Sequence, residues 1–281
     1  MIDLHTHTTA SDGRCSPGEL VARAAGAGVT VLSVTDHDTF AACPAARSAC
    51  EAAGVAFVTG IEITAIRDGA DVHVLGYFVD DRAPALLSFL AEQRLRRVDR
   101  VREMLARLAS FGLALDAESI LRPAFDDRSR AIGRPWIARA LVEGGHVAST
   151  SEAFDRWLSR GRPAFVPRLG APPDEVVARV HGAGGVASLA HPGLLGRDEW
   201  IPSFADAGLD ALEAFHTDHD ALATTRYLAM ADRLGLAVSG GSDFHADAAH
   251  GAAGPGSVSL PPEQFERLIA RKSARSGPAY T

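Results

Sequence analysis

Lysine is nearly absent from this chain: of 28 basic side chains only Lys272 is a lysine, which leaves little room for a site built on an ammonium group. Cysteine is scarce as well. Cys15, Cys43 and Cys50 are odd in number and lack paired spacing, which excludes a disulfide framework and a thiolate metal site. They read as small buried thiols in a reducing cytoplasm. Long apolar runs are missing too, each being broken by Gly or charge before the roughly 18 residues that a membrane span needs. The chain enters a strand-like Ile2 to Leu4 at once, without a basic and then apolar leader, so a cytoplasmic protein with no membrane contact is expected. Positive charge is in deficit. A net charge of −7 argues against gripping long nucleic acid, which requires many phosphates to be neutralised. Small anionic substrates remain open, because bound cations would reverse the sign locally.

What is present is a set of metal-ligand side chains on a globular background. With 281 residues, 47% hydrophobic and 22% charged, the chain can bury one large core, or one core and a smaller appendage. The set opens with Asp3-Leu4-His5-Thr6-His7, where side-chain alternation in an extended chain sends both imidazoles the same way. Four later stretches each follow a short apolar run: Thr35-Asp36-His37-Asp38-Thr39, Gly60-Ile61-Glu62, Ala190-His191-Pro192 and Ser242-Asp243-Phe244-His245. Asp12 and His73 complete the group. Nine side chains, His5, His7, Asp12, His37, Glu62, His73, His191, Asp243 and His245, are too many for one ion. Nitrogen and oxygen donors without thiolate suit manganese, zinc or iron, and carboxylates that bridge suit two or three such ions. Asp36 and Asp38, flanking His37, are expected to orient it rather than to bind metal.

The elements alternate. Ser16-Pro17-Gly18-Glu19 carries a helix start that should run to Ala27, strand Val31 to Val34 follows, and Phe40 to Ala53 makes a second helix before strand Ala56 to Val58. Ile61 to Ile66 and Asp71 to Phe78 read as a hairpin across Asp68-Gly69. From Pro84 to Arg162 the alternation stops and the segment reads as helical, with Val98, Val101, Leu105 and Leu108 in one apolar stripe. The arginines around that stripe read mainly as a solvated face, with a basic patch for RNA as the alternative. Strand Ala164 to Val166 then restarts a pattern that ends in strand Ala237 to Ser239 and a terminal helix, Glu263 to Arg271. The expectation is an α/β fold in which 1–82 and 163–281 form a barrel and 83–162 form an inserted helical lid subdomain.

The ordered motifs from His5 to His245 resemble the polymerase and histidinol phosphatase (PHP) family of metal-dependent phosphoesterases, and most of all its small members that dephosphorylate nucleoside 3′,5′-bisphosphates. The resemblance implies a distorted (β/α)7 barrel with two or three divalent ions (Mn2+, Zn2+ or Fe2+) at the strand ends. One ion would take His5, His7, Glu62 and Asp243; a second would share Glu62 with His73 and His191; a third would use Asp12, His37 and His245. Gly133-Arg134-Pro135 is similar to a family motif whose arginine reaches the substrate phosphate. Arg160 and Arg162 resemble a basic turn facing phosphate, and His219 a histidine near the scissile phosphate that binds substrate or donates a proton. Where this chain has Trp136 the family commonly has histidine, so Trp136 either stacks on a base or fills the core of the lid. His216 and Asp218 are left as solvated or orienting groups, and His146, His181 and His250 as surface groups.

The activity implied is hydrolysis of phosphate monoesters of small nucleotides by a metal-activated water, with short RNA as a possible further substrate and duplex DNA excluded. Histidinol phosphate phosphatase is the nearest enzymatic alternative. A non-catalytic or proofreading module is a weaker one, since every expected ligand position is filled. A metal-dependent amidohydrolase usually wants a metal-bridging lysine, which Lys272 is too late in the chain to supply.

Overall fold

Seven strands, hydrogen-bonded in chain order, make one sheet that curls until its edges meet. The structure is a computed structural model describing residues 1–246 and 254–275; His250 and the first part of the loop expected at 251–262 lie outside them. Strand β1 (Ile2–Asp3) leads to helix α1 (Pro17–Gly26), β2 (Val31–Val34) and α2 (Cys43–Ala53). The long strands β3 (Ala56–Arg67) and β4 (Ala70–Tyr77) follow, paired antiparallel through Asp68-Gly69 as the hairpin pattern predicts. Next come α3 (Pro84–Ser110), α4 (Ala117–Asp126), α5 (Arg134–Glu143) and α6 (Thr150–Ala153), the last running into a π-helical turn, Phe154–Leu158. The alternation resumes with α7 (Pro173–Gly182), β5 (Val186–Leu189), α8 (Pro192–Leu195), α9 (Ile201–Asp206), β6 (Ala211–His216), α10 (Ala221–Leu234), β7 (Ala237–Gly241) and α11 (Pro262–Arg275).

The distortion of the barrel has a definite source. Neighbouring strands are parallel except at β4, which runs antiparallel to both β3 and β5. Closure comes from the Leu4 amide donating to Gly240 O at 3.2 Å and from a parallel bridge between Thr6 and Phe244. A Cβ at Gly241 would lie 2.3 Å from the His5 amide nitrogen, so only glycine lets β7 approach β1 this closely.

Local signals act as read at α1, where Ser16 and Glu19 form a reciprocal capping box, and at α2, which Gly54 ends in the left-handed region at φ 68°. Three expectations change. Helix α2 starts at Cys43 rather than Phe40, because Thr35 to Ala42 is a loop whose His37 bridges to Glu62. The runs Ala56 to Val58 and Ile61 to Ile66 fuse into one strand across Gly60. Ala164 to Val166 is not a strand: Pro163 and Pro167 bound it, and the carbonyls of Phe165 and Val166 accept from Arg107 and Arg100 instead of a strand.

Apolar burial falls into separate clusters. One fills the barrel around Leu75, Leu189 and Leu212. Another, around Met104, Leu108, Ile137 and Leu141, belongs to the helices from α3 to the π-turn, and the stripe Val98, Val101, Leu105 and Leu108 lies in it. The arginines of α3 are not one solvated face: Arg97 and Arg100 are buried, while Arg96, Arg102 and Arg107 pair with Glu92, Asp99 and Glu103 on the same helix. Cys15, Cys43 and Cys50 are buried free thiols. Among the described residues no helix is long and apolar enough to cross a membrane.

Candidate metal centre

The nine side chains marked out in the sequence converge at one end of the barrel. His5 and His7 leave the end of β1 with ring centroids 5.2 Å apart, and His7 stacks on His245 at 4.1 Å. Glu62 sits at the middle. Its Oε2 lies 2.9 Å from His37 Nδ1, 3.3 Å from His7 Nε2 and 3.6 Å from His5 Nε2, and its Oε1 lies 2.7 Å from His73 Nδ1 and 3.1 Å from His191 Nε2. Asp243 Oδ1 stands 3.2 Å from His5 Nε2 and 3.1 Å from His7 Nε2. Asp12 is 3.5 Å from His37 Nε2 and 3.3 Å from His245 Nε2.

These separations fit shared cations. Donor atoms about 2.1 Å from one ion, at tetrahedral or octahedral angles, stand about 3.0 to 3.4 Å apart. The buried nitrogens His5 Nε2, both ring nitrogens of His7, His37 Nδ1 and His191 Nδ1, with Asp243 Oδ1, make no hydrogen bond to the described residues. Leaving that many buried polar atoms unpaired is costly unless something else satisfies them. Protonation follows the same logic. Burial opposes charge on His7, but the Asp243 and Glu62 carboxylates, 3.1 and 3.3 Å from its Nε2, outweigh it and bring the pKa to about 10. At His37 burial wins over Glu62 and Asp12 and the pKa falls to about 4. Burial would raise Glu62, yet His37, His73 and His5 hold it well below the usual carboxylate range. The carboxylates stay ionised among buried imidazoles, a donor set that could hold cations, and metal uptake would displace the proton on His7.

Tautomers separate ligands from supports. His5 Nδ1 donates to buried Glu213 at 2.9 Å, and Glu213 also accepts the His191 amide at 2.7 Å, so Glu213 aims the Nε2 lone pair of His5 into the cluster. His245 Nδ1 likewise donates to Asp243 O at 2.8 Å. His216 lies 3.4 Å from Asp243 Oδ2; its Nδ1 accepts the Asp218 amide, while its buried Nε2 makes no hydrogen bond to the described residues and forms a further candidate ligand group with His5 and Asp243. Glu213 was not singled out in the sequence, and His216 was left there as a solvated or orienting group, although both lie on β6 beside the other ligand strands.

Other expected residues are placed differently. Asp36 does not touch His37; it accepts from the Thr8 amide, the Thr8 hydroxyl and the Ser11 hydroxyl, bracing the loop that carries Asp12. Asp38 pairs with Arg97 at 2.5 Å. His219 is hydrogen-bonded on both nitrogens, Nδ1 to Ala214 O and Nε2 to the Gly193 amide, holds the turn after His191 and is not among the residues lining the cavity above the ligands. Arg160 and Arg162 are exposed and outside the cavity; Arg168, not singled out, lines it. His181 pairs with Asp210. Trp136 donates to Ser11 O at 2.9 Å and packs against the helical cluster, so of its two readings the structural one holds.

The cavity above the ligands has a volume of about 220 Å³ and a second, cationic wall formed by Arg97, Arg134 and Arg168, with Phe154 and Leu194 at its apolar edge. Asp71 faces Arg134 at 3.3 Å and Arg168 at 3.7 Å. Burial raises Asp71, but Arg168 and Arg134 outweigh it and bring its pKa to about 2. Burial, then repulsion from Arg97, lowers Arg168 to about 9 against the pull of Asp71. Four guanidiniums, counting Arg100 behind the wall, face two carboxylates, Asp38 and Asp71.

Comparison with known proteins agrees with this geometry. Residues 3–122 match the PHP domain. The 5′-3′ exoribonuclease Rnm of Salmonella typhimurium is 37% identical over 250 residues, 86% of this chain and 84% of the relative. The 3′,5′-nucleoside bisphosphate phosphatase of Chromobacterium violaceum is 34% identical over 266 residues, 93% of each chain. A solved structure from Bifidobacterium adolescentis, assigned as a metal-dependent phosphoesterase, superposes with a TM-score of 0.87 at 33% identity, covering 96% of this chain and 95% of the other. With its ligand-lined, nearly closed barrel, the chain belongs to the PHP family of metal-dependent phosphoesterases.

Proposed function

We propose that this enzyme removes one phosphate from a small nucleotide carrying two, of the nucleoside 3′,5′-bisphosphate class, with the scissile phosphate over the ligand cluster and the other on the arginine wall. The observation that carries this reading is Arg168, whose buried Nε and Nη1 make no hydrogen bond to the described residues and whose charge is undercompensated. A second phosphate supplies the missing acceptors and charge. The Chromobacterium relative, named for this activity, supports it. Two or three ions (Mn2+, Zn2+ or Fe2+), held by His5, His7, Asp12, His37, Glu62, His73, His191, Asp243 and His245, would neutralise phosphate and acidify a water. Around them Glu213 keeps His5 in its ligating tautomer, Arg134 and Arg168 fix the second phosphate, and Phe154 and Leu194 flank the nucleoside.

Residues 83–162 act as a helical lid subdomain on a barrel of 1–82 and 163–281, leaving room for a mononucleotide or an RNA end but not duplex DNA. The reduced thiols suit a cytoplasmic enzyme. Histidinol phosphate is disfavoured, because its ammonium group would meet the arginine wall. The exoribonuclease reading, supported by the Salmonella relative, places a 5′-phosphorylated RNA end in the same cavity. The test is phosphate release by manganese-loaded protein from adenosine 3′,5′-bisphosphate, AMP, histidinol phosphate and short 5′-phosphorylated RNA. The bisphosphate should give the highest kcat/KM; equal turnover of AMP would refute the two-phosphate reading.

A further inference from the structure

Four consecutive carbonyls, Thr9 to Asp12, each accept a hydrogen bond from the helical segment that follows β4. Arg130 donates to Thr9 O, the Ala131 amide to Ala10 O at 3.0 Å, Trp136 Nε1 to Ser11 O at 2.9 Å and Arg139 to Asp12 O at 3.0 Å. The guanidiniums of Arg130 and Arg139 also flank the Trp136 ring, 5.8 and 5.1 Å from its centroid. From the barrel side the loop is held at Thr8 and Ser11, through Asp36. The carbonyl row from Thr9 to Asp12 is therefore gripped by residues 130–139, the loop before α5 and α5 itself, and not by the barrel.

Asp12 is the carboxylate of the group His7, Asp12, His37 and His245, whose other members leave the barrel strands directly or one short loop away. We infer that Trp136 and Arg139 are positioning residues for this one metal position: docking of the helical segment sets Asp12 and with it the affinity of one ion, while the Glu62-centred positions, which share His7 and His37 but do not use Asp12, are affected less. The inference rests on Asp12 being a ligand, as proposed above. By linkage the effect is reciprocal, so an ion on Asp12 must tighten the grip of the helices on the loop. The sites that bind first would then be those around Glu62, and the last ion would report a closed lid.

The test is manganese(II) titration of wild type, Trp136→Phe, Arg139→Met and Arg139→Lys, with metal content measured by elemental analysis. Phe keeps the ring and loses the N–H; Met keeps length and loses the donor; Lys keeps a donor. The expected result is one ion per chain weakened about tenfold in the double variant Trp136→Phe/Arg139→Met, as losing two hydrogen bonds of about 1 kcal/mol or less each would give, with the others weakened by a clearly smaller factor and Arg139→Lys close to wild type. Wild-type affinity for every ion in that double variant, or equal weakening of all ions, would overturn the inference. Should the double variant not fold, hydrogen exchange of the wild type decides: removing metal should deprotect the Ala131 amide and α5 while α10 is unaffected, and unchanged protection overturns the reciprocal claim. A wild type that takes up no manganese defeats the ligand reading of Asp12 itself, a failure distinct from that of the clasp.

Discussion

The two walls of the cavity are built on opposite principles. At the strand ends, imidazoles and carboxylates are locked by hydrogen bonds such as His5 to Glu213 and His245 to the Asp243 carbonyl, and their shared charge is negative. Opposite them, guanidiniums from α3, α5 and the segment after the π-turn crowd together with too few carboxylates, and their shared charge is positive. One wall is preorganised for cations, the other for an anion. The proposed substrate, a phosphate ester with a second phosphate, would engage both walls at once.

That division can be broken from either side. The largest effect is expected from Glu62→Gln, which removes the carboxylate that every central imidazole faces: metal content should fall by at least one ion and kcat/KM by about a thousandfold or more. Retention of all metal would show that Glu62 does not bridge. On the other wall, Arg134→Ala should leave metal content and folding intact while lowering kcat/KM for a bisphosphate by about one to three orders of magnitude, and Arg134→Lys should recover part of the loss, because a point charge cannot replace a planar fork. Metal loss in Arg134→Ala would join the walls into one unit. Glu213→Gln keeps an acceptor for the His191 amide but no longer fixes the His5 tautomer; manganese affinity should drop about 10- to 100-fold with little change in KM.

The smallest effect sharpens the comparison. Asp71 competes with substrate phosphate for Arg134 and Arg168, so Asp71→Asn should bind inorganic phosphate more tightly while costing about 2 kcal/mol of stability at pH 7. Because folding depresses the Asp71 pKa to about 2, its contribution is present above the unfolded value near 4 and is lost as pH falls through about 2. Wild type and variant should thus converge in stability across that acid window, as thermal melts would show.

The two walls also differ in how far the sequence discloses them. The ligands sit in short motifs after apolar strands, so the sequence marks them as one set, and alternation pairs His5 with His7, while the grouping of these two with Glu62 and Asp243 came from the family resemblance. Arg168 and Arg97 carry no such mark, since an arginine in a long amphipathic helix or a proline-flanked loop looks like solvated surface until packing buries it. The partners of His219 were hidden for a related reason: its role near substrate was implied by the family resemblance, whereas Gly193 and Ala214, distant or unremarkable in sequence, occupy both nitrogens. Backbone strain was equally hidden. Asp38, His191 and Asp243 all have positive φ, a conformation that propensity disfavours and that only the assembled site sustains. The inversion of β4 was legible only as a hairpin, and the loss of the strand at 164 to 166 follows from two prolines and two arginine donors contributed by α3.

The central claim is that the arginine wall reads a second phosphate while the ligand wall processes the first. It is tested most directly by the ratio of kcat/KM for adenosine 3′,5′-bisphosphate over AMP in manganese-loaded wild type and Arg168→Ala at equal metal content. The account expects a wild-type preference for the bisphosphate that collapses by about tenfold or more in the variant, with AMP turnover nearly unchanged. An unchanged ratio would contradict it.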